Sequence, residues 1–312
     1  MLFIFITMIS IIIPVFNYDC TALITELARQ AAELEEQETD CRVEIIVMDD
    51  NSTDLALKEH NRRVISALPR CRFIAQARNV GRAACRNHLR AAAQYDYLLL
   101  IDSDAACHSP RFLSTYWQAR HTADVLCGDL RNPTTCAPGH ELRYRYERNA
   151  EPRRTLAQRR AHPFRSLCTF NIFGRRAVFE AVPFDPRCTD YGYEDALFGL
   201  ELQQRGFTIG HIDNPLTHTG IDTNAEFLHK TETALRTLSH LDGLMQENAG
   251  ASRIVRLLSR IGLQGAAAAL FRALRRPLRA NLLSRHPSLL LFKCYKLGYY
   301  ADITLPAARH SR

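Results

Sequence analysis

The chain has 312 residues, 46% of them hydrophobic, which is enough for one large globular domain or two. Its net charge of +7 belongs mainly to the tail, where residues 250–300 hold ten Lys or Arg and no Asp or Glu. Few aromatic residues alternate with these arginines, which argues against a nucleic-acid partner. The ten cysteines include no C-x-x-C pair, so a zinc site is not indicated and the reduced thiols of a cytosolic enzyme are expected.

Residues 1–16 are almost wholly apolar, yet they lack the basic start and the small-residue cleavage site of an export signal. They are also short for a membrane span. We therefore interpret residues 9–15 as the first buried strand, and residues 1–7 as an upstream extension if translation starts at Met8.

From there, short apolar runs alternate with helical patterns along the chain. Strands are predicted at 9–15, 43–48, 72–75, 98–101, 124–130, 167–173 and 207–212, and helices at 21–38, 54–68, 81–94, 111–120, 175–181, 190–204 and 224–248. Residues 132–163, rich in Arg, Pro and Thr, are predicted as a loop or a partly helical excursion. The alternation predicts an α/β fold with a mostly parallel central sheet flanked by helices. We expect a catalytic domain over 8–220 and a basic helical extension over 221–312.

The strand predicted at 98–101 ends abruptly in Asp102-Ser103-Asp104. Side chains two residues apart in an extended chain point the same way, so Asp102 and Asp104 would aim two carboxylates at one place. That place lies at the carboxyl end of a buried strand, where open α/β sheets bind their ligands. Two like charges so close repel each other, and a bound Mg²⁺ or Mn²⁺ relieves the repulsion. The stretch therefore predicts a metal site that carries a diphosphate.

Four segments occur in a fixed order: PVFN at 14–17, MDDNSTD at 48–54, IDSD at 101–104 and YGYEDALFG at 191–199. Together they resemble family 2 glycosyltransferases of the GT-A fold, and the last is similar to the W-G-W-E-D segment of galactosyltransferase-type enzymes. The resemblance spans residues 8–220. It implies transfer of a sugar, with inversion, from a nucleotide-diphosphate donor, usually a UDP-sugar, to a hydroxyl group of the acceptor.

The resemblance also implies roles on the donor side. Asp50 would accept a hydrogen bond from the uracil, and Phe16 would face the base ring. The segment NVGRAACRN at 79–87 resembles the family's N-x-G-x-x-x-A-R-N, in which Arg82 or Arg86 would offset the charge of the donor. The donor-binding residues implied in this way are Pro14, Phe16, Asn17, Asp49, Asp50, Arg82, Arg86 and Ser103. The alternatives are plain helix capping by residues 49–54 and a solvated helix that bears the arginines.

For the metal, the resemblance implies His218 as a third ligand beside Asp102 and Asp104, with His211 and His108 as weaker candidates. Asp195 would be the general base that takes the proton of the acceptor hydroxyl, with Glu194 as its rival. Acids in a first helical turn also suit the helix dipole without any catalysis. The acceptor-binding residues would be Tyr191, Gly192, Tyr193, Glu194 and Asn171, although Phe170 stands where the family usually has Gly.

Leucines and isoleucines recur near helical spacing among the arginines of 250–300, as in basic amphipathic helices that lie on anionic membranes. An ordinary packed helix with a solvated basic face fits the same pattern. We expect a cytoplasmic enzyme, peripheral on the cytoplasmic face of the inner membrane, that acts on a glycan or lipid-linked acceptor in cell-surface polysaccharide synthesis. The alternatives are a sugar-phosphate nucleotidyltransferase, although PVFNYDC lacks a glycine-rich basic loop, and a non-catalytic glycan- or membrane-binding relative of a transferase.

Overall fold

The computed structural model describes residues 7–185, 192–241 and 250–306, and these form two compact units. Within the described ranges, no helix has both the length and the apolar character needed to cross a bilayer. The first unit holds the described residues of 7–133, 153–185 and 194–220, and the second holds those of 134–152, 192–193, 221–241 and 250–306.

Ten strands form two sheets in the described ranges. In chain order they are β1 (Thr7–Val15), β2 (Cys41–Asp49), β3 (Cys71–Ala75), β4 (Tyr97–Ile101), β5 (Ala105–Ala106), β6 (Val125–Cys127), β7 (Leu130–Arg131), β8 (Asn171–Arg175), β9 (Ile209–His211) and β10 (Leu216–His218). The larger sheet has seven strands in the order β3-β2-β1-β4-β8-β6-β9, and the smaller has three in the order β5-β10-β7.

The helices lie between and after these strands. They are α1 (Thr21–Gln37), α2 (Leu55–Ala67), α3 (Arg82–Ala92), α4 (Phe112–Ala119), α5 (Glu141–Ala150), α6 (Leu156–Ala161), α7 (Arg176–Ala181), α8 (Glu194–Gln204), α9 (Asn224–His240), α10 (Gly250–Arg260), α11 (Gln264–Leu282) and α12 (Leu289–Ile303), with a 3₁₀ turn at Glu151–Arg153. The prediction of an α/β fold with a mostly parallel sheet, flanking helices and a helical C-terminal region is therefore confirmed.

Two details differ from the prediction. β8 runs antiparallel to both of its neighbours, β4 and β6, and it begins four residues later than expected. The strand predicted at 124–130 is divided into β6 and β7, because Asp129 adopts the left-handed conformation with φ 72° and the chain leaves the larger sheet there. Residues 132–163 contain two helices, α5 and α6, in agreement with the prediction of a partly helical excursion.

The register of the large sheet brings the carboxyl ends of its central strands to one edge. β1 lies between β2 and β4 and runs parallel to both, with Val15 opposite Asp49 and Ile12 opposite Leu100. All five residues of β4 are buried, as its continuous apolar sequence predicts for a strand covered on both faces. The polar residues that follow the three strands therefore share one edge of the sheet.

At β8 the core admits a buried polar network. The Asn171 side chain accepts a hydrogen bond from the Tyr116 hydroxyl at 2.6 Å and donates one to the Asn214 carbonyl at 2.8 Å. Gly128 lies against this network, and a Cβ placed there would come within 2.4 Å of the Tyr116 hydroxyl and 2.5 Å of the Asn171 amide. Only a residue without a side chain leaves room for these bonds.

We predict that Gly128→Ala destabilises the first unit by about 1–3 kcal/mol, because the added methyl overpacks a buried network that cannot move aside. Urea unfolding followed by the fluorescence of Trp117, the single tryptophan, measures this unit because Trp117 is buried in its core. Gly265→Ala is the control, since no described atom lies within 4 Å of a Cβ at that position. An unchanged transition in Gly128→Ala would show that the network tolerates the methyl group.

Candidate active site

Asp102 is a nearly buried carboxylate at the end of β4. Its backbone N–H donates a hydrogen bond to the Phe170 carbonyl at 3.1 Å, which anchors the residue to the chain just before β8. A buried ionised carboxylate is costly unless it is paired with charge. The charges that pair with it come from α3.

Two arginines of α3 hold this carboxylate. Arg86 is buried, and its Nη2 donates a hydrogen bond to Asp102 Oδ1 at 2.7 Å. Arg82, which is partly exposed, donates to Asp102 Oδ2 and also brings its Nε within 3.9 Å of Glu194. The expectation that Arg86 binds the donor directly is corrected, because its guanidinium is turned inward onto Asp102 and lies 5.0 Å from the Phe184 ring centroid.

Asp195 lies in the first turn of α8, beside the same arginine. Arg86 Nη1 is 4.0 Å from Asp195 Oδ1, and the Arg86 Nε and Nη1 atoms have no hydrogen-bond partner among the described residues. Thr169 orients the carboxylate, because its hydroxyl donates to Oδ1 and its backbone N–H donates to Oδ2 at 3.2 Å. The aspartate is thus held in one orientation next to the Arg86–Asp102 pair.

The surroundings of Asp195 raise the pKa of its carboxyl group. Removal of water by the surrounding protein is the largest cause, the negative charge of Glu194 adds to it, and Arg86 opposes it. The side chain still keeps 38% of its surface open, so an acceptor hydroxyl can reach the carboxylate. A partly exposed carboxylate with a raised pKa is suited to act as a general base.

Asp104 has a different partner, His218, which the small sheet places beside it. β10 pairs antiparallel with β5 so that His218 lies opposite Ala105, one residue after Asp104. His218 Nε2 is 3.1 Å from Asp104 Oδ2. The close approach depends on Gly220, where a Cβ would lie 2.6 Å from the Asp104 carboxylate.

These residues can be tested against the metal predicted for the site. Two ligands about 2.1 Å from one ion, set at a right angle, are about 3 Å apart, which is close to the separation of the Asp104 and His218 donor atoms. However, no group of three or more His, Cys, Asp or Glu in the described ranges is already arranged to hold a metal. The structure brings together one carboxylate–imidazole pair, Asp104 and His218, while Asp102 is held by arginines, so the expected trio of ligands stays a prediction. The pair fits a divalent ion that accepts both oxygen and imidazole nitrogen.

The weaker histidine candidates lie elsewhere. His211 is buried, 3.0 Å from the Pro163 carbonyl and 3.1 Å from the Arg159 guanidinium, and burial lowers its pKa. His108 is exposed. Only His218 is brought into contact with either aspartate of the predicted pair.

On the donor side, the two aspartates after β2 are used in different ways. Asp50 accepts hydrogen bonds from the backbone N–H groups of Val80 and Gly81, both at 2.9 Å, and so fixes the start of α3. Asp49 is fully buried, accepts from the Ser52 N–H at 2.9 Å and pairs with Lys58 at 3.1 Å. The expectation that Asp49 binds the donor is corrected, because its carboxylate is enclosed in its own turn.

The end of β1 shows the same division of roles. Asn17 Oδ1 accepts from the N–H groups of Thr53 and Asp54, at 2.8 and 3.1 Å, so the residue joins two turns. Asn17 therefore has a structural role in joining these turns. Its side chain is also exposed, so its expected role in donor binding stays a prediction. Phe16 leaves 46% of its surface exposed, so its ring is free to face a nucleotide base. Pro14 lies within β1 and Ser103 between the two site aspartates, both partly buried.

The acceptor residues are only partly as expected. Asn171 is fully buried, with both ends of its amide bonded inside the core, so the expectation that it binds the acceptor is corrected. Tyr191 lies outside the described residues. Gly192 and Tyr193 both have positive φ, of 115° and 69°, directly before α8. For a tyrosine this conformation is costly, and such strain is often found at functional sites.

Three contacts of the site could not be read from the motifs. They involve Thr169, which holds Asp195, and Thr219, which donates to the Asp104 carbonyl through both its N–H and its hydroxyl at 2.8 Å. Tyr18 completes them with a 2.8 Å hydrogen bond between its hydroxyl and that of Thr219. Burial, and more weakly the charge of Asp104, raise the pKa of Tyr18. In the sequence, these three residues differ from other polar residues only in lying close to predicted site residues.

Comparison with known proteins identifies the family and the fold. The family model of glycosyl transferase family 2 matches residues 10–182. A mannosyltransferase from Pyrobaculum calidifontis, solved with GDP-Man and Mn²⁺, is similar over 94% of this chain and 84% of its own, with 16% identity and a TM-score of 0.56. A mycobacterial protein is similar over 74% of this chain and 73% of its own, with 20% identity and a TM-score of 0.50. No curated protein sequence matches the chain significantly.

The chain belongs to glycosyl transferase family 2. The family match confirms the resemblance seen in the sequence and the prediction of a glycosyltransferase, and it removes the nucleotidyltransferase alternative. The two structural neighbours share the GT-A fold, and at their low sequence identity the similarity concerns the fold alone. Because the match ends at residue 182, the Y-G-Y-E-D segment at 191–195 stays a prediction.

We predict that Arg86→Met destabilises the first unit by about 3 kcal/mol, because it leaves the Asp102 carboxylate buried with a single, partly exposed partner. Arg82→Met removes the other partner of the same carboxylate but should cost no more than about 1 kcal/mol, since solvent screens that pair. Urea unfolding followed by Trp117 fluorescence compares the two variants. Equal losses would contradict the assignment of Arg86 as the main counter-charge.

Proposed function

We propose that this family 2 glycosyltransferase transfers a sugar, with inversion and in a single displacement, from a nucleotide-diphosphate donor to a hydroxyl group of the acceptor. The observation that carries the proposal is the position of Arg86 between Asp102 and Asp195, at 2.7 Å and 4.0 Å. This position supports the proposal because the carboxylate proposed as the base then lies near Asp102, the first aspartate of the D-x-D segment after β4. A hydroxyl group activated at Asp195 would thus lie next to the diphosphate side of the site.

Asp195 is the proposed general base. It accepts the proton of the acceptor hydroxyl as that oxygen attacks the anomeric carbon, and the bond to the donor diphosphate breaks on the opposite side. Thr169 keeps both carboxylate oxygens in place through its hydroxyl and its N–H, which reduces the reorganisation needed at each turnover. Glu194 is assigned to raising the proton affinity of Asp195 and to holding acceptor hydroxyls.

The divalent ion is proposed to be held by Asp104 and His218, with Asp102 next to them. When bound, the ion supplies positive charge that stabilises the departing diphosphate. Mn²⁺ is favoured over Mg²⁺, because Mg²⁺ prefers oxygen ligands in a strict octahedron whereas an imidazole is one of the two groups here. Arg82, which is partly exposed, can turn from Asp102 toward a donor phosphate and so contribute a second positive charge.

For the donor we propose a UDP-sugar, with the base against Phe16 and its imide near Asp50. The exposed ring of Phe16 supports this placement, as does the second lone pair that remains on each Asp50 oxygen after the two backbone bonds. The mannosyltransferase neighbour was solved with GDP-Man, so the test includes guanine donors. The proposed acceptor is a glycan or a lipid-linked glycan in cell-surface polysaccharide synthesis, reached from the cytoplasm.

The pKa of Asp195 leads to a prediction on pH dependence. The base works only when ionised, so the activity is lost as the pH falls through a pKa that is raised above the ordinary aspartate value. Glu194→Gln removes a like charge, lowers the pKa of Asp195 and moves the acidic limb of the kcat/KM profile to lower pH. Glu201→Gln, on the same helix, is the control and should leave the limb in place. Complete loss of activity in Glu194→Gln would instead make Glu194 the base.

The function itself is tested by a donor screen. With Mn²⁺ and a panel of UDP- and GDP-sugars, the protein should release the nucleoside diphosphate from one donor class, and EDTA should stop the release. Asp195→Asn should lower the rate by about 10²–10⁴-fold without weakening donor binding, whereas Asp213→Asn, an exposed aspartate of the same unit, should not change it. Equal rates in EDTA would refute the metal assignment. Unchanged biological activity in Asp195→Asn would favour the non-catalytic alternative.

A further inference from the structure

The second unit exposes apolar side chains on its C-terminal helices. Of the eleven large hydrophobic residues that are exposed in the described part of the chain, eight lie between residues 254 and 290. They are Ile254, Leu257, Ile261, Leu263, Leu270, Leu274, Leu283 and Leu290. Single exposed hydrophobic residues are ordinary on a soluble protein, but a concentration of this kind marks an interaction surface.

On α10 these residues form a stripe. Ile254 and Leu257 are three residues apart and lie on one side of the helix, and the exposed Ile261 directly follows its last residue. Ser252 and Val255 are buried on the other side, against the rest of the unit. The apolar stripe therefore faces away from the core to which α10 is attached.

On α11 the exposed side is apolar over a longer distance. Its inward side is set by Ala268 and Phe271, and Phe271 packs so closely on α12 that a Cβ at Gly298 would come within 2.6 Å of it. Leu270 and Leu274 stand one turn apart on the outer surface, exposed by 61% and 44%. The exposed alanines 266, 269 and 273 lie between and before them, so this surface carries no polar side chain along its centre.

Positive charge borders this surface. Some of the arginines are paired within the unit: Arg275 and Arg279 lie 3.5 and 3.8 Å from Glu232, and Arg272 lies 3.6 Å from Asp302. Others are exposed and form no ion pair with any carboxylate in the described ranges, namely Arg253, Arg260 and Arg276. Each of these three arginines lies one or two residues along the chain from an exposed leucine or isoleucine.

We propose that the outer surface of α10 and α11 binds an anionic lipid bilayer, with both helices lying in the headgroup region. Aliphatic side chains at the acyl boundary with arginines at the phosphates are the arrangement that a charged membrane surface stabilises. A second copy of the chain fits less well, because two surfaces of the same positive charge would repel each other. A nucleic acid would leave the leucines without a partner.

The proposal is tested with the full chain and vesicles. The protein should sediment with vesicles made of phosphatidylcholine and phosphatidylglycerol in equal parts, but not with phosphatidylcholine alone, and high salt should weaken the binding. Replacing Arg253 and Arg260 with Gln should weaken binding by about 30-fold, from about 1 kcal/mol for each charge near the surface. Leu270→Ser with Leu274→Ser keeps the charge and should weaken binding by at least about tenfold.

A matched control distinguishes binding through this surface from non-specific hydrophobic binding to vesicles. Leu55→Ser removes a leucine that is 73% exposed on α2 of the first unit and should leave vesicle binding unchanged. Circular dichroism melting of each variant shows that the helices remain folded. The proposal fails if the leucine pair can be replaced without loss of binding, if neutral vesicles bind equally well, or if the wild type forms dimers through this surface and ignores vesicles.

Discussion

The candidate active site depends on how one buried carboxylate, Asp102, is neutralised. An ionised aspartate at the end of a fully apolar strand is stable only if positive charge is brought to it, and Arg86 does so from inside the core. The position of Arg86 is in turn set by Asp50, whose carboxylate holds the backbone at the start of α3. Since Arg86 also approaches Asp195, one guanidinium links the end of β4 to the start of α8.

The two aspartates of the D-x-D segment therefore have separate electrostatic surroundings. Asp102 faces the arginines of α3, while Asp104 faces an imidazole carried by a strand of the other sheet. The repulsion expected between adjacent carboxylates is relieved by different partners on each side.

The second unit is notable for apolar residues that lie outside its own core. Its helices bury an aromatic core that includes Phe271, Phe292 and Tyr295, yet α10 and α11 keep apolar stripes on the outside. A helix that buries one apolar side and exposes another has more hydrophobic surface than its own core uses. The proposed bilayer contact accounts for that surplus and for the arginines beside it.

Sequence patterns were sufficient to predict the local features of this protein. The apolar runs defined the strands, residues 49–54 were recognisable as rich in capping residues, of which Asp54 caps α2, and the order of the segments indicated the family and the aspartates at the sheet edge. The partner of each charged or polar side chain at the site, in contrast, depends on the tertiary fold. Asn171 and Asp49 have polar side chains typical of a site, but long-range packing encloses them, while Thr169 lies in an unremarkable stretch and holds the base. Hydrogen bonds between residues far apart in the chain leave no periodic pattern in the sequence, so partners of this kind emerge only once the sheets have formed.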